Sequence, residues 1–322
     1  MSGPLRFVFG GRYDRLADVP DLAARAGIAL ELETLASPKD AFAALRDSPD
    51  FAGGEMSVSF YMTERSRLRD ACDLVALPVW ISRAFRHSNV YVREDSDLRT
   101  PADLRGGRVG LPEYGMTMAV WLRGLFADEY GLAPEDLRWV THRAATGLDE
   151  EAVRHPSGVE IAVAPPGTSP QENLLGGRID AWIGAGTAPP APGVRRLFAD
   201  AFAEERRYFA RSGVFPVMHV LVVKRAVLDG DRSLAPRLFA VFDESKRRAQ
   251  RRLWSTSVAY LTLPWALHAA EEQTRIMGGD PWPYGLAANA PTLDALMRYM
   301  SRQGLLWDDV PLDEFFLPVE PA

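Results

Sequence analysis

The chain holds one cysteine, Cys72, in 322 residues, which excludes an internal disulfide. Its place in the apolar residues 71–78 suits a buried small hydrophobe better than a nucleophile. No run of about 18 apolar residues occurs, so no spanning helix and no membrane partner are predicted. No basic n-region, apolar stretch and small-residue cleavage site come before the strand-like Leu5-Arg-Phe-Val-Phe9. No secretory signal is therefore read, and a cytoplasmic location is expected. A basic face is missing as well: the net charge is −6, which argues against nucleic-acid binding. Gly-x-Gly-x-x-Gly, a P-loop, His-Glu-x-x-His and Gly-x-Ser-x-Gly are all absent. The expectation is no cofactor and no dedicated metal site.

What is present is an ordinary globular balance, 47% hydrophobic and 25% charged, which suits packed cores rather than disorder. The length suits two domains of roughly 100–200 residues each. Arg far outnumbers Lys, so a chain acidic overall still carries many planar forks for carboxylates. Strands are predicted at 5–9, 29–35, 73–79, 89–93, 108–112, 160–164, 181–184 and 215–224. Helices are predicted at 21–26, 41–47, 116–130, 171–175, 235–250 and 292–303, and residues 189–192 (Pro-Pro-Ala-Pro) read as a rigid loop. This alternation predicts an α/β protein with parallel sheets flanked by helices. The strand at 89–93 leads through a polar linker into a fresh βα unit at Arg108, and the strand at 215–224 is followed only by helices. That order predicts a two-lobed fold with two hinge crossings. Residues 1–103 with 214–322 form lobe one, residues 104–213 form an inserted lobe two, and the ligand cleft lies between them.

Short motifs run in order from residue 13 to residue 285. They are Tyr13-Asp-Arg15, Met56-Ser-Val-Ser59, Leu77-Pro-Val-Trp-Ile-Ser-Arg83, Phe85-Arg-His-Ser88, Arg108-Val-Gly-Leu-Pro-Glu-Tyr114, Met116-Thr117 with Trp121-Leu-Arg-Gly124, Gly213-Val-Phe-Pro-Val-Met-His219 and Asp280-Pro-Trp-Pro-Tyr-Gly285. In these stretches the chain resembles the 4,5-dihydroxyphthalate decarboxylase family. It departs at Phe60, where a polar or acidic residue is more usual. The resemblance implies a type II periplasmic-binding-protein-like fold. It also implies a carboxy-lyase of aromatic catabolism that turns 4,5-dihydroxyphthalate, or a close relative, into protocatechuate and CO2 without oxidation.

Such a reaction asks for clamps on ring carboxylates, a proton donor facing the ring carbon that loses CO2, and a partner for a phenol oxygen. Tyr13 and Arg15 follow the first strand, at the edge where open α/β sheets bind ligands. Arg15 can grip a carboxylate with two parallel N–H bonds or pair with Asp14 at the surface. Ser57 and Ser59 put two hydroxyls on one face if extended, or begin a helix whose free N–H groups face the cleft; plain capping explains them equally well. Arg83, Arg86 and His87 precede the first crossing. Arg86 can clamp a carboxylate or pair with Glu94 or Asp95, and His87 titrates in the range for proton transfer or is simply structural. Glu113, Tyr114 and Thr117 lie between a strand and a helix start, where an anion is favoured. Glu113 can orient a histidine or accept a phenol proton, and Thr117 can cap the helix or touch the ligand. His219 sits on the returning strand and is expected to face His87. Trp282 and Tyr284 form a wall or pack a C-terminal helix. His142, His155 and His268 have no supporting context.

The expectation is thus an enzyme with His87, His219 and Glu113 as catalytic groups. Tyr13, Arg15, Ser57, Ser59, Arg83, Arg86, Tyr114, Thr117 and Trp282 are expected to bind substrate. Two rivals share the fold: a non-catalytic binding or sensor protein for an aromatic carboxylate, and a lyase or dehydratase that releases water instead of CO2. The expected partner is a small aromatic carboxylate, and a homo-oligomer is compatible with the sequence.

Overall fold

A computed structural model describes residues 3–142, 158–184, 191–308 and 310–320. The first apolar run forms β1 (Leu5–Phe9), in which Phe7, Val8 and Phe9 are buried. It continues through α1 (Val19–Arg25), β2 (Leu30–Thr34), α2 (Pro38–Asp47), β3 (Gly53–Ser57), α3 (Val58–Leu68) and β4 (Leu74–Arg83). Helix α2 starts where Ser37 accepts a hydrogen bond from the Asp40 amide and Pro38 supplies a preset φ. β5 (Val90–Arg93), β6 (Arg108–Leu111), α4 (Thr117–Tyr130), β7 (Arg138–Thr141), β8 (Glu160–Val163), α5 (Pro170–Leu175), β9 (Ala181–Ile183), β10 (Val194–Arg196) and α6 (Ala201–Ser212) follow. The chain ends with β11 (Val217–Lys224), α7 (Arg225–Gly230), α8 (Leu234–Leu253), α9 (Ala266–Met277) and α10 (Ala290–Arg302).

These strands build two mixed sheets. The first has the order β2-β1-β3-β11-β4, with β11 antiparallel to both β3 and β4 and the β1 pairings parallel. The second has the order β10-β5-β9-β6-β7-β8, with β6, β7, β8 and β9 parallel and β5 antiparallel to its neighbours. All-parallel sheets are thus not observed, because the returning β11 enters the middle of the first sheet in the opposite direction. Val90–Arg93, assigned by sequence to lobe one, pairs instead with β9 and β10 of the second sheet. The first passage between sheets therefore comes between Arg83 and Val90, ahead of residue 103. A four-residue strand carries no sequence mark of its partner, which is why the pairing was not readable. Part of the 189–192 loop and His155 lie outside the described residues.

The strand and helix faces of both sheets share one apolar cluster. Trp121 of α4 is buried and its indole N–H donates to the Val217 carbonyl at 2.8 Å, tying the helix behind the second sheet to the returning strand of the first. Cys72 is buried, with its thiol pushed up by desolvation, as suits a packing residue.

Candidate functional site

In the first sheet β1, β3 and β4 run the same way and end on one edge, so the antiparallel β11 begins there. The register places His219 opposite Ser57 of β3 and Ser82 of β4. From the second sheet, β6 ends at Leu111 and delivers Pro112, Glu113 and the start of α4 to the same place. Between them lies a cavity of about 540 Å³. Its polar lining includes Tyr13, Ser57, Arg86, Glu113, Thr117 and His219, and its apolar lining Phe42, Phe60, Met116, Met118 and Met218. Lys39 and Arg46 of α2 also border it. Apolar walls with a few convergent polar groups are what a small-ligand pocket needs.

Behind the cavity wall lies a residue absent from the sequence reading. Glu55 of β3 is 0% exposed. Its carboxylate accepts hydrogen bonds from the Gly10 amide at 2.8 Å, the Tyr13 hydroxyl at 2.7 Å and Nδ1 of His219 at 2.5 Å. Burial pushes this carboxyl up, but the hydrogen bond and charge of His219, with the Gly10 and Tyr13 donors, outweigh it and hold Glu55 below the usual carboxylate range. Burial and the adjacent Glu55 charge drive the Tyr13 phenol strongly upward, so Tyr13 stays a protonated donor. Gly10 is required here because a Cβ on it would meet the Cα of Pro38 at 2.1 Å. Leu221 lies opposite Glu55 and His219 opposite Ser57, so period-2 alternation puts both functional side chains on one face of the sheet. With Nδ1 committed to Glu55, the other imidazole nitrogen, Nε2, makes no hydrogen bond among the described residues and is free for the cavity. Phe42 meets the ring edge-on with centroids 5.1 Å apart, fixing its plane.

Two helices begin at the cavity. β3 turns directly into α3 after Ser57, and α4 starts at Thr117. The hydroxyl of Thr117 lies 2.9 Å from those of both Ser57 and Ser59, and Ser59 also donates to the Gly115 carbonyl at 2.8 Å. None of these hydroxyls caps its own helix. They knit the two starts together, and the positive ends of two helices favour an anion at such a place. Ser59 is fully buried behind Ser57 and does not line the space. Arg86 adds a cation. Its Nε lies 3.3 Å from the Met218 sulfur and its Nη1 3.4 Å from Asn89 Oδ1, and no carboxylate pairs with it among the described residues. Glu94 and Asp95, offered as alternatives, are not its partners. Burial lowers this guanidinium to about 10, with Glu205 opposing, so it remains charged at neutral pH.

Five expected site residues point elsewhere. His87 is 2% exposed, turned by a short 3-10 turn toward α6, with its ring against Phe198 and Tyr208. It does not line the cavity with His219, and desolvation lowers it to about 4. Helix α6 was not predicted, so nothing in the sequence offered His87 another neighbour. Arg15 spends its guanidinium on the Ile81 carbonyl and Asp14, sandwiched between the rings of Tyr13 and Trp282. Arg83 is buried on Asn289 at 2.7 Å and on the Phe215 carbonyl at 2.6 Å. Tyr114 is buried under Arg123, 3.8 Å from its ring centre, and against Trp139. Trp282 donates to the Trp80 carbonyl at 2.8 Å and packs on Phe215. All four are fasteners of the fold, because buried backbone carbonyls and aromatic faces claim them first. His142 binds Asn173 at 2.8 Å, and His268 is exposed beside Glu271.

No protein-family model matches the chain. Among curated proteins, a 4,5-dihydroxyphthalate decarboxylase of Comamonas testosteroni is 33% identical over 315 residues, covering 96% of this chain and 94% of that protein. The chain belongs to the 4,5-dihydroxyphthalate decarboxylase family. A second member, from Pseudomonas putida, is 30% identical over 184 residues, covering 56% of this chain and 69% of that protein. Solved structures similar to this family member include the periplasmic aliphatic sulphonate binding protein SsuA from Escherichia coli (TM-score 0.54, 14% identity, covering 100% of this chain and 94% of that one). The desulfurization enzyme DSZB matches with TM-score 0.52 and 15% identity over 98% of this chain and 96% of that one. A Candida albicans protein described as having the generic periplasmic binding protein fold matches with TM-score 0.52 and 11% identity, over 99% and 97%. These likenesses establish the periplasmic-binding-protein fold, and the family membership comes from the sequence relatives.

Proposed function

We propose that this chain is a cofactor-independent carboxy-lyase acting on a hydroxylated aromatic carboxylate, 4,5-dihydroxyphthalate or a close relative. The observation that carries the reading is His219, held by the buried Glu55 carboxylate through Nδ1 with Nε2 free for a cavity that also presents Arg86. Imidazolium is the acid, and the buried Glu55 carboxylate is its ion-pair partner at 2.5 Å. Nε2–H delivers a proton to the ring carbon that bears the carboxylate, while a ring hydroxyl releases electron density toward that carbon. The C–C bond then breaks, its electron pair returns to the ring, and CO2 leaves. The carboxylate is replaced by the added hydrogen, and His219 regains a proton from water. Arg86 and the paired helix starts hold the anion. Glu113 is the cavity's carboxylate for the phenol proton, and Phe42, Phe60 and the methionines keep water from the ring.

The test is purified protein with 4,5-dihydroxyphthalate, followed by chromatography for protocatechuate and by CO2 release. Product is expected from the parent and not from His219→Gln. Unchanged substrate across a panel of hydroxylated benzoates and phthalates, with thermal stabilisation by one of them, would transfer the protein to the binding class; loss of water would make it a dehydratase.

A further inference from the structure

Helices α6 and α9 face each other across a gap instead of packing together. Phe202, Glu205 and Phe209 fall at i, i+3 and i+7 on α6, and Ala269, Glu272 and Ile276 repeat that spacing on α9. One stripe of each helix is therefore turned to the gap. Phe85 and Phe215 complete the recess, stacked with ring centroids 4.7 Å apart, and Phe209 meets Phe85 edge-on at 6.2 Å. Its volume is about 250 Å³. A dry cavity of ~150 Å³ is enough for benzene, so this one takes a single ring with a short side chain. The walls come from both halves of the molecule. On the second-sheet side the Tyr130 hydroxyl of α4 donates to Glu204 of α6 at 3.3 Å, whereas α9 follows α8, which packs on α1 and β4 of the first sheet. Phe85 lies on the passage out of the first sheet and Phe215 on the passage back.

The lining also sets the charge of an occupant. Arg206 is spent on Glu272 at 3.2 Å, which leaves Glu205 without a cation in the lining. Its Oε1 is buried with no hydrogen-bond partner among the described residues. His87, whose Nδ1 stands 3.9 Å away, is lowered to about 4 and uncharged at neutral pH. An unpaired buried carboxylate among aromatic rings suits a cation with an aromatic body. We propose that the α6–α9 recess is a second binding site, for a small arylalkyl ammonium ion whose ring lies among the phenylalanines and whose ammonium pairs with Glu205. Such an occupant reaches the larger cavity through charge. Phe85 and Arg86 are neighbours in the chain and line one space each, and the charge of Glu205 acts on Arg86. An ammonium beside Glu205 offsets that charge and leaves Arg86 a stronger anchor for a carboxylate. The amine is thereby an activator, a step that rests on the carboxylate reading of the Arg86 cavity.

Calorimetric titration of the full chain with phenethylamine, with no carboxylate present, tests the site. Saturable binding with a Kd below about 1 mM is expected, and ~10-fold weaker binding of phenethyl alcohol, the neutral counterpart. Glu205→Gln and, separately, Ile276→Trp, which fills the gap, are each expected to weaken the amine ~10-fold or more. Circular dichroism checks that each variant folds; should either fail, the comparison of amine with alcohol on the parent decides. Titration with 4,5-dihydroxyphthalate is then repeated at saturating amine, and its Kd is expected to fall ~5-fold. No saturable amine binding, equal binding of amine and alcohol, or amine binding indifferent to both substitutions would overturn the site. A carboxylate Kd that the amine does not move would overturn the coupling. A chain that takes the amine but no carboxylate would sink the coupling together with the proposed function, while the amine site would stand.

Discussion

At the residue scale, function concentrates in a contact between two side chains that the sequence separates by more than 160 positions. Glu55 touches no cavity and acts through His219, so it is a positioning residue. Glu55→Gln is expected to lower kcat by ~10²-fold or more and to move the alkaline limb of the pH–rate profile, where the protonated acid is lost, while leaving KM close to the parent's. A merely structural role would change stability without moving that limb. His87 makes the opposite prediction. Its folded value of about 4 lies below the ordinary 6.5, so between those values the unfolded chain takes up a proton that the folded chain refuses. Stability should therefore fall as pH drops from about 6.5 to about 4, by ~3 kcal/mol in all at 1.36 kcal/mol per unit. His87→Phe should flatten that part of the stability–pH curve in denaturant titrations. Turnover should escape the ~10²-fold loss expected of a missing acid–base group.

At the element scale, the site depends on how β3 and β6 hand over to α3 and α4. The hydroxyl of Thr117 reaches both Ser57 and Ser59, at 2.9 Å each. Thr117→Val keeps the shape but leaves buried hydroxyls short of a partner, a cost of about 1–3 kcal/mol. A lowered Tm and a raised KM are expected together, read by calorimetry and steady-state kinetics. The bare helix starts were half legible: the Ser57, Ser59 and Thr117 motifs were singled out, yet capping and cleft binding could not be told apart without knowing that the two starts meet. Glu55 was legible in principle, as a lone carboxylate inside a strand of small and apolar residues. In one dimension a Gly53-Gly54 pair reads as a turn, whereas both glycines lie in β3.

At the scale of the whole molecule, the cavity takes its walls from both sheets, so an anion bound there bridges them. A ligand at a hundred times its Kd should stabilise the fold by about 2.7 kcal/mol, seen as a raised Tm. Arg86→Gln should weaken that shift for carboxylates and spare it for neutral phenols of similar size, because Arg86 lacks an internal carboxylate partner among the described residues. If both ligand classes lose the shift equally, Arg86 is a packing residue.

The alternation of strands with helices, the α/β class and the family were set by the sequence alone, since periodicity, turn residues and motif order are local or linear properties. Tyr13, Ser57, Arg86, Glu113, Thr117 and His219 were named from that information and meet at one cavity. Which arginine stays free, which histidine meets a carboxylate and which sheet receives Val90–Arg93 were decided only in three dimensions. The reason is physical: Arg15, Arg83 and His87 look as reactive in one dimension as Arg86 and His219, and only packing shows that buried carbonyls and aromatic rings have already claimed them.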